Sequence, residues 1–156
     1  MLGVEGADPV VSSFGPRSPL LDDEQILLFG WGAEQATSFE REQIEARGLE
    51  HVPLEEVASD PSGAGMRVLD GFAANFDRLL IHFDVDTLDF TDAPLSENTG
   101  RNEGLSLDSA MSALASLLSS ERLSALTITE LNPLHGAEDG ATLERFAGSL
   151  AVALSR

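Results

Sequence analysis

The sequence contains no cysteine and no lysine, and each absence removes a class of site. Without cysteine the chain forms no disulfide bond and no thiolate metal site. Its 27 acidic residues face nine basic ones, all of them arginine, and the formal net charge is −18. This balance argues against nucleic acid and anionic membranes as partners, because both require a basic face. It favours solubility and leaves room for a cationic ligand.

Long hydrophobic runs are missing as well. No apolar segment approaches the roughly 20 residues that a transmembrane helix requires. The first residues lack a basic stretch followed by an apolar one, so they do not resemble a signal peptide. We therefore expect a cytoplasmic protein, and the abundance of alanine, glycine, aspartate and arginine is typical of a GC-rich bacterial genome. A length of 156 residues predicts one domain over residues 1–156.

Apolar runs alternate with helical periodicities along the chain. Residues 1–22, rich in glycine, proline, serine and aspartate, are predicted to be irregular, and a second loop is predicted at 60–64. Strands are predicted at residues 26–29, 51–52, 79–83 and 126–129. Helices are predicted at 37–47, along Met66, Leu69, Phe72 and Phe76, at 106–118 and at 142–154. The alternation predicts an α/β fold of three αβα layers with a mainly parallel sheet.

Acidic residues follow two of the predicted strands. Asp84 and Asp86 end one strand, and Glu130 ends a later one. Active sites of open α/β sheets lie beyond the carboxyl ends of the strands, so these acids are candidate site residues. If the strand continues through Asp86, then Asp84 and Asp86 share a face with His82. Neighbouring carboxylates repel unless a cation joins them or one keeps its proton, and paired hard oxygen ligands suit Mg²⁺ or Mn²⁺.

The Asp-x-Asp pattern alone is not specific. It also occurs in phosphotransferases and glycosyltransferases, and solvated acids in loops can form the same sequence pattern. A Mg²⁺-dependent phosphoryl-transfer protein using Asp84 is one alternative, but the sequence has no glycine-rich phosphate loop and no lysine. His82 and His135 are candidates for supporting the acids through hydrogen bonds, with purely structural roles as the alternative. His51 has no acidic cluster beside it and is interpreted as structural.

The acids at both strand ends belong to a series of motifs that follow one another along the chain. They are His82-Phe83-Asp84-Val85-Asp86-Thr87-Leu88-Asp89-Phe90, then Pro94, Glu103-Gly104-Leu105, Glu130-Leu131-Asn132-Pro133 and Asp139-Gly140-Ala141-Thr142. The motifs resemble those of the manganese-dependent ureohydrolases, the family of arginase, agmatinase and formiminoglutamase. The resemblance covers about residues 23–156 and implies the C-terminal half of an arginase-like fold. His82, Phe90 and Glu103 stand where the family has Ser, Pro and Gly, which leaves the substrate open.

The resemblance also implies residue roles. Family members hold two Mn²⁺ ions with six ligands, of which an earlier His and an Asp-x-His-x-Asp cluster supply four and the Asp-x-Asp pair supplies two. By resemblance, Asp84 bridges both ions, Asp86 binds one, and Glu130 faces the guanidinium of a small cationic substrate. The reaction implied is hydrolysis of a guanidino or formimino C–N bond, with release of urea or a related amide.

Four of the six family ligands have no counterpart here, because no histidine of the sequence lies in an Asp-x-His-x-Asp pattern. We therefore expect an incomplete, inactive chain that associates with the missing N-terminal half or forms a homo-oligomer. The leading hypothesis is half of a dimanganese hydrolase. The alternative is a non-catalytic remnant of the fold that serves as a binding or oligomerisation module. An in-frame His and Asp-x-His-x-Asp encoded upstream would favour the enzyme.

Overall fold

The computed structural model describes residues 8–100 and 102–155. Its strands are β1 (Leu27–Trp31), β2 (Glu50–Pro53), β3 (Leu79–Asp84) and β4 (Leu123–Thr129). Its α-helices are α1 (Pro9–Ser12), α2 (Ser38–Arg47), α3 (Leu54–Ser59), α4 (Pro61–Asp70), α5 (Leu107–Leu118) and α6 (Ala141–Leu154). Single 3₁₀ turns lie at Asp23–Gln25, Ala73–Asn75, Val85–Thr87 and Pro133–His135. No helix in this described part is long and apolar enough to cross a membrane.

The four strands form two parallel pairs, which confirms the predicted α/β class. β1 pairs with β2 and β3 pairs with β4, each through a connection that contains a helix, as parallel neighbours require. The single predicted sheet is divided, because no described strand bridges β1 and β3. Leu80 on one face of β3 is 65% exposed, and His82 on the same face is exposed too. The described residues therefore supply no helical layer over that face.

The segment before β1 is only partly irregular. Residues 9–12 form the single-turn helix α1, in which Asp8 accepts the N–H of Val10 at 2.7 Å. The prediction of an irregular segment over 1–22 was therefore wrong at this turn. Residues 1–7 of that segment lie outside the described residues.

Helix α2 begins and ends where its sequence predicts. The Thr37 hydroxyl accepts the N–H of Glu40 at 3.2 Å, and the Glu40 carboxylate accepts the N–H of Thr37 at 2.7 Å. The Thr37 N–H, and after it the Thr37 hydroxyl, donate to the Glu40 carboxylate and hold its pKa below its usual range. Gly48 ends the helix with a φ of 61°, a left-handed conformation that turns the chain into β2 without steric cost.

The segment between β2 and β3 differs from the prediction. The predicted loop at 60–64 is the start of α4, where Pro61 occupies the first helical position and Asp60 accepts a first-turn N–H at 3.1 Å. The helix ends before Phe72 and Phe76, whose rings lie 5.0 Å apart beyond it. Proline, serine and glycine favour loops and helix starts alike, so composition alone did not separate the two.

Helix α5 lies at the centre of the core. Ser106 caps it by accepting the N–H of Ser109 at 3.2 Å, as predicted. Its buried face packs between α4 and α6, and Phe83 of β3 stacks on Phe146 of α6 with ring centroids 6.4 Å apart. Each fully buried leucine in such a core contributes about 1.5–3 kcal/mol relative to its exposed state.

The loop between β3 and α5 is ordered by backbone contacts rather than by regular structure. Asp89 donates its N–H to the Leu105 carbonyl at 2.8 Å, and Leu88 and Leu105 form an isolated parallel bridge. A Cβ atom on Gly104 would collide with the backbone of Leu88, so only glycine permits this approach. Leu88 and Leu95 are fully buried, and the loop therefore contributes to the core.

Asp92 joins this loop to two helices. One carboxylate oxygen accepts the N–H of Leu107 at 2.7 Å, and Arg145 of α6 donates to both oxygens at 3.0 and 3.3 Å. The Arg145 guanidinium, and after it the Leu107 amide, hold the pKa of Asp92 below its usual range. Asp92 in turn raises the pKa of Arg145. The carboxylate thus fixes the start of α5 relative to α6.

Strand β4 ends in a strained turn. Glu130 has a φ of 57°, in the left-handed region that disfavours side chains other than glycine by roughly 1–2 kcal/mol. Its carbonyl accepts the N–H of Glu97 at 2.9 Å, a contact that helps to hold the turn. Strain of this kind persists where the surrounding structure fixes the backbone, commonly at functional positions.

We expect Asp92→Asn to lower the free energy of unfolding by about 1 kcal/mol near neutral pH, because the charge pair with Arg145 is lost. The pKa of Asp92 is depressed in the folded chain. Its contribution is therefore complete above the unfolded carboxyl pKa and lost as the pH falls through the folded one. Urea denaturation should show the gap between wild type and variant narrowing as the pH falls below the ordinary aspartate pKa of about 3.9. Asp77→Asn, at an exposed acid, is the control, and a gap independent of pH would contradict the expectation.

We expect Glu130→Gly to be more stable than Glu130→Ala by about 1 kcal/mol, because glycine adopts the left-handed backbone without strain. The two variants both remove the carboxylate, so the comparison isolates the backbone conformation. Thermal and urea unfolding of the purified chains measure the difference. Equal stabilities would mean that residue 130 does not hold a positive φ in solution.

Candidate functional site

The candidate site lies at the carboxyl ends of β3 and β4. Asp84 is the last residue of β3 and pairs in register with Thr129, the last residue of β4. Glu130 follows Thr129 directly, so Asp84 and Glu130 both lie at the carboxyl-terminal end of the β3–β4 pair. Asp84 is half-buried and Glu130 is exposed. The two motifs that the sequence singles out are thereby neighbours in space.

The backbone turns immediately after Asp84. A shared strand face for Asp84 and Asp86 was predicted on the condition that the strand continues to Asp86, but a 3₁₀ turn over Val85–Thr87 follows Asp84. In this turn the Asp84 carboxylate accepts the N–H of Asp86 at 2.9 Å through Oδ1. The side chain of Asp86 is therefore directed by a tight turn, and its relation to Asp84 does not come from strand alternation.

The segment Ser96-Glu97-Asn98, which we call the bridging loop, connects the two strand ends. Asn98 donates its N–H to Oδ1 of Asp86 at 3.3 Å. Glu97 donates its N–H to the carbonyl of Glu130 at 2.9 Å, and Ser96 forms an antiparallel bridge with Leu131. Asp86 and Glu130 are thus both held by hydrogen bonds from the bridging loop.

His135 supports the bridging loop. Its Nδ1 lies 2.8 Å from the carbonyl of Ser96, and its Nε2 lies 3.3 Å from the side-chain amide nitrogen of Asn132. A carbonyl accepts and an amide nitrogen donates, so these partners assign the proton to Nδ1. Asn132 also donates to the Glu97 carboxylate at 2.8 Å. The His135 ring lies edge-on to the ring of Phe90, with ring centroids 6.1 Å apart. Phe90, which stands where the family pattern has Pro, therefore lies beside the bridging loop.

His82 lies on the exposed face of β3 and bonds to strand β4. Its Nδ1 is 2.9 Å from the Thr127 hydroxyl, and its Nε2 is 3.1 Å from the Thr129 hydroxyl. Both ring nitrogens are therefore engaged by threonines rather than by Asp84, the acid that the sequence argument considered as a partner. Neither histidine of the candidate set contacts the Asp84 or Asp86 carboxylate.

No ion pair within residues 8–100 and 102–155 involves Asp84, Asp86 or Glu130. The ion pairs in this part of the chain join arginines to other acids. Negative groups gathered without a cation favour binding of one. The same residues contain no group of three or more His, Asp or Glu side chains arranged to hold a metal ion. Asp84 and Asp86 supply hard oxygen ligands that fit part of a Mn²⁺ site and no more.

Sequence reasoning missed the bridging loop. Residues 96–98 carry no motif, and their contacts join them to residues 12 to 39 positions away. Glu97 adds a carboxylate at this end of the sheet that no sequence motif indicated. The only signal was the position of the loop between the two motifs.

Comparison with known proteins places the chain in a family. The sequence model of the arginase family matches residues 10–154, and no curated protein sequence matches the chain. The fold is similar to that of arginase from Bacillus caldovelox, with a TM-score of 0.76, 21% identity, and coverage of 95% of this chain and 47% of that one. For formimidoylglutamase from Bacillus subtilis the TM-score is 0.72 at 17% identity, with coverage of 86% and 41%.

A third similar structure is arginase from Entamoeba histolytica in complex with L-ornithine, with a TM-score of 0.68 and 20% identity. It is covered over 43% of its length by 83% of this chain. The chain thus spans less than half the length of these three solved structures. At such identities the likeness establishes the arginase fold. Because the family's sequence model matches nearly the whole chain, the chain belongs to the arginase family.

Proposed function

We propose that the chain is one half of a dimanganese hydrolase that acts on a guanidino or formimino C–N bond. The observation that carries the proposal is the position of Asp84 and Glu130 at the carboxyl-terminal end of the β3–β4 pair, where no arginine of residues 8–100 and 102–155 forms an ion pair with either. This end of the pair suits a metal ion and a small cationic substrate together. Membership of the arginase family supports a hydrolase of this type.

Asp84 and Asp86 are the residues that would hold the metal ions. The N–H groups of Asp86 and Asn98 each occupy one oxygen of these carboxylates, and the second oxygen of each has no hydrogen-bond partner within the described part of the chain. The hydrogen bonds restrict the rotation of both carboxylates, which lowers the entropic cost of binding a cation. A dimanganese centre, when bound, supplies a water of lowered pKa as the nucleophile.

Glu130 would hold the substrate cation. A carboxylate accepts two N–H bonds from a planar guanidinium, and such charge-assisted pairs fix orientation as well as binding energy. The left-handed backbone of Glu130 ends the strand alternation of β4, and its side chain is exposed. The bridging loop holds that backbone through Glu97, so the acid is positioned before substrate binds.

The other metal ligands would come from the half of the fold that this chain does not span. The partner would be that N-terminal half or a further copy of the chain that supplies equivalent groups. The alternative function is a non-catalytic binding or oligomerisation module. It is favoured by the lack, among the described residues, of any cluster of three metal-ligating side chains. An in-frame upstream His and Asp-x-His-x-Asp would decide for the enzyme.

We expect the isolated 156-residue chain to bind Mn²⁺ weakly, at no more than one site, and to release no measurable urea. Two carboxylates leave most coordination positions of a hard cation to water. Titration calorimetry with Mn²⁺ and a urea assay with arginine and agmatine are the measurements, and Asp84→Asn is the control for the site. Two tight Mn²⁺ sites per chain would contradict the proposal of an incomplete centre.

In the protein completed by its other half, we expect Glu130→Gln to retain metal and lose catalysis. The loss should be on the order of 10²-fold in kcat/KM, because a desolvated charge-assisted contact is worth about 3 kcal/mol. Asp84→Asn should instead lose metal and activity together, as measured by metal analysis beside kinetics. Glu138→Gln, at an exposed acid of the following loop, should change neither.

Two outcomes would refute these roles. Glu130→Gln that loses as much metal as Asp84→Asn would make Glu130 a ligand. Unchanged activity of Glu130→Gln on every guanidino compound would mean that this residue does not hold the substrate. The substitutions at His82, Phe90 and Glu103 relative to the family pattern would then indicate a different substrate class.

A further inference from the structure

Glu130 joins two stretches of backbone that are fixed by different partners. Before it, Thr129 pairs in parallel with Asp84 of β3. After it, Leu131 forms an antiparallel bridge with Ser96 of the bridging loop. The chain therefore changes its pairing partner and the direction of pairing at one residue, and the φ of 57° at Glu130 lies at this change. Such a left-handed conformation persists only where the structure on both sides holds it.

The antiparallel bridge depends on two backbone hydrogen bonds. The Glu97 N–H donates to the Glu130 carbonyl at 2.9 Å, and the Asn132 N–H donates to the Leu95 carbonyl at 2.6 Å. Ser96 lies between these bonds as the non-hydrogen-bonded residue of the bridge, so its own carbonyl points away from the residues it bridges. Ser96 is fully buried, and a buried carbonyl requires a partner.

His135 supplies that partner. Its Nδ1–H donates to the Ser96 carbonyl at 2.8 Å. The peptide group between Ser96 and Glu97 therefore accepts from His135 at its oxygen and donates to Glu130 at its N–H. Hydrogen bonds at the two ends of one peptide group strengthen each other, because both polarise the group in the same sense. His135 is thus linked to the backbone of Glu130 through a single peptide group.

A second series of contacts starts from the same ring. The side-chain nitrogen of Asn132 lies 3.3 Å from Nε2 of His135 and donates to the Glu97 carboxylate at 2.8 Å. The side-chain oxygen of Asn132 accepts the Leu134 N–H at 3.0 Å, so every polar atom of this amide has a partner. Glu97 is therefore held at its backbone and at its side chain, and both sets of contacts include His135.

We propose that His135 is a positioning residue that holds Glu130 in its left-handed conformation through the peptide group between Ser96 and Glu97. It touches neither the substrate nor a metal ion. The proposal deepens the proposed function and rests on it, since there Glu130 accepts the N–H groups of the substrate cation. Movement of the Glu130 backbone would displace its carboxylate from these groups, and small displacements of this kind lower catalysis.

The test compares glycine with alanine at position 130 in the 156-residue chain, with and without His135. With His135 present, Glu130→Gly should have the higher urea midpoint, because glycine adopts a positive φ without strain. His135→Leu removes both ring contacts and allows residue 130 to leave the left-handed region. The difference between the two midpoints should then fall to about half or less.

Two further backgrounds make the comparison specific. His135→Asn places a side-chain N–H near the position of Nδ1, and it should restore the difference between glycine and alanine. His51→Leu makes the same exchange at an exposed histidine of β2 and should leave the difference unchanged. If circular dichroism shows that His135→Leu is unfolded, His135→Gln takes its place, because its amide extends beyond the Ser96 carbonyl.

Hydrogen exchange measured by nuclear magnetic resonance tests the same link directly. The Glu97 N–H should exchange about tenfold faster in His135→Leu than in wild type, because its hydrogen bond to Glu130 is weakened. Rates are normalised to the N–H of Leu114 in the core of α5, which corrects for a general loss of stability. In His135→Asn the Glu97 N–H should exchange as slowly as in wild type.

A difference between glycine and alanine that survives His135→Leu would overturn the proposal, whatever the total loss of stability. So would normalised exchange of the Glu97 N–H that stays at the wild-type rate. Equal effects of His135→Asn and His135→Leu would assign the ring to packing alone, again against the proposal.

Kinetics of the protein completed by its other half separate this proposal from the proposed function. His135→Leu should lower kcat/KM about tenfold where Glu130 is present and cause no further loss in Glu130→Gln, since it acts through that residue. Losses that multiply would contradict the positioning role. If Glu130→Gln alone has no effect, the proposed function fails, while the stability and exchange results still decide whether His135 holds the backbone.

Discussion

The in-register parallel pairing of β3 with β4 sets the position of the candidate acids. Because Asp84 lies beside Thr129, Asp84 and Glu130 leave the sheet at the same edge. A slip of one residue would turn the side chains of one strand to the opposite face and separate the acids from their present neighbours. The bridging loop depends on the same pairing, since it bonds to Asp86 beyond one strand and to Glu130 beyond the other.

Several arginines of the described residues hold the fold through ion pairs. Arg145 binds Asp92 between α5 and α6, Arg67 binds Asp60 at the start of α4, and Arg47 binds Asp23 before β1. The acids beyond β3 and β4 lack such a partner in the described residues. A strongly acidic chain thus neutralises its structural carboxylates locally and leaves one edge of the sheet negative. That distribution, more than the net charge, fits a site for a cation.

The division of the strands into two pairs explains why half of an arginase fold still has a core. Helices α4, α5 and α6 bury their apolar faces against one another and against Phe83, while the opposite face of β3 exposes Leu80. The exposed face of β3 therefore concerns the sheet and leaves the helical core intact.

The sequence by itself determined the parallel α/β class, the strands, the caps of α2 and α5, and the acids at two strand ends, because short-range periodicity and hydrogen bonding fix these features. It misplaced the start of α4, where proline and glycine favour loop and helix start alike, and it extended β3 past Asp84. Only the tertiary structure decided that His82 bonds to threonines, that His135 supports the bridging loop, and that β1 and β3 stay apart. The histidine contacts join residues 39 to 47 positions apart in the sequence, and contacts between such distant segments leave no pattern in the residues that make them.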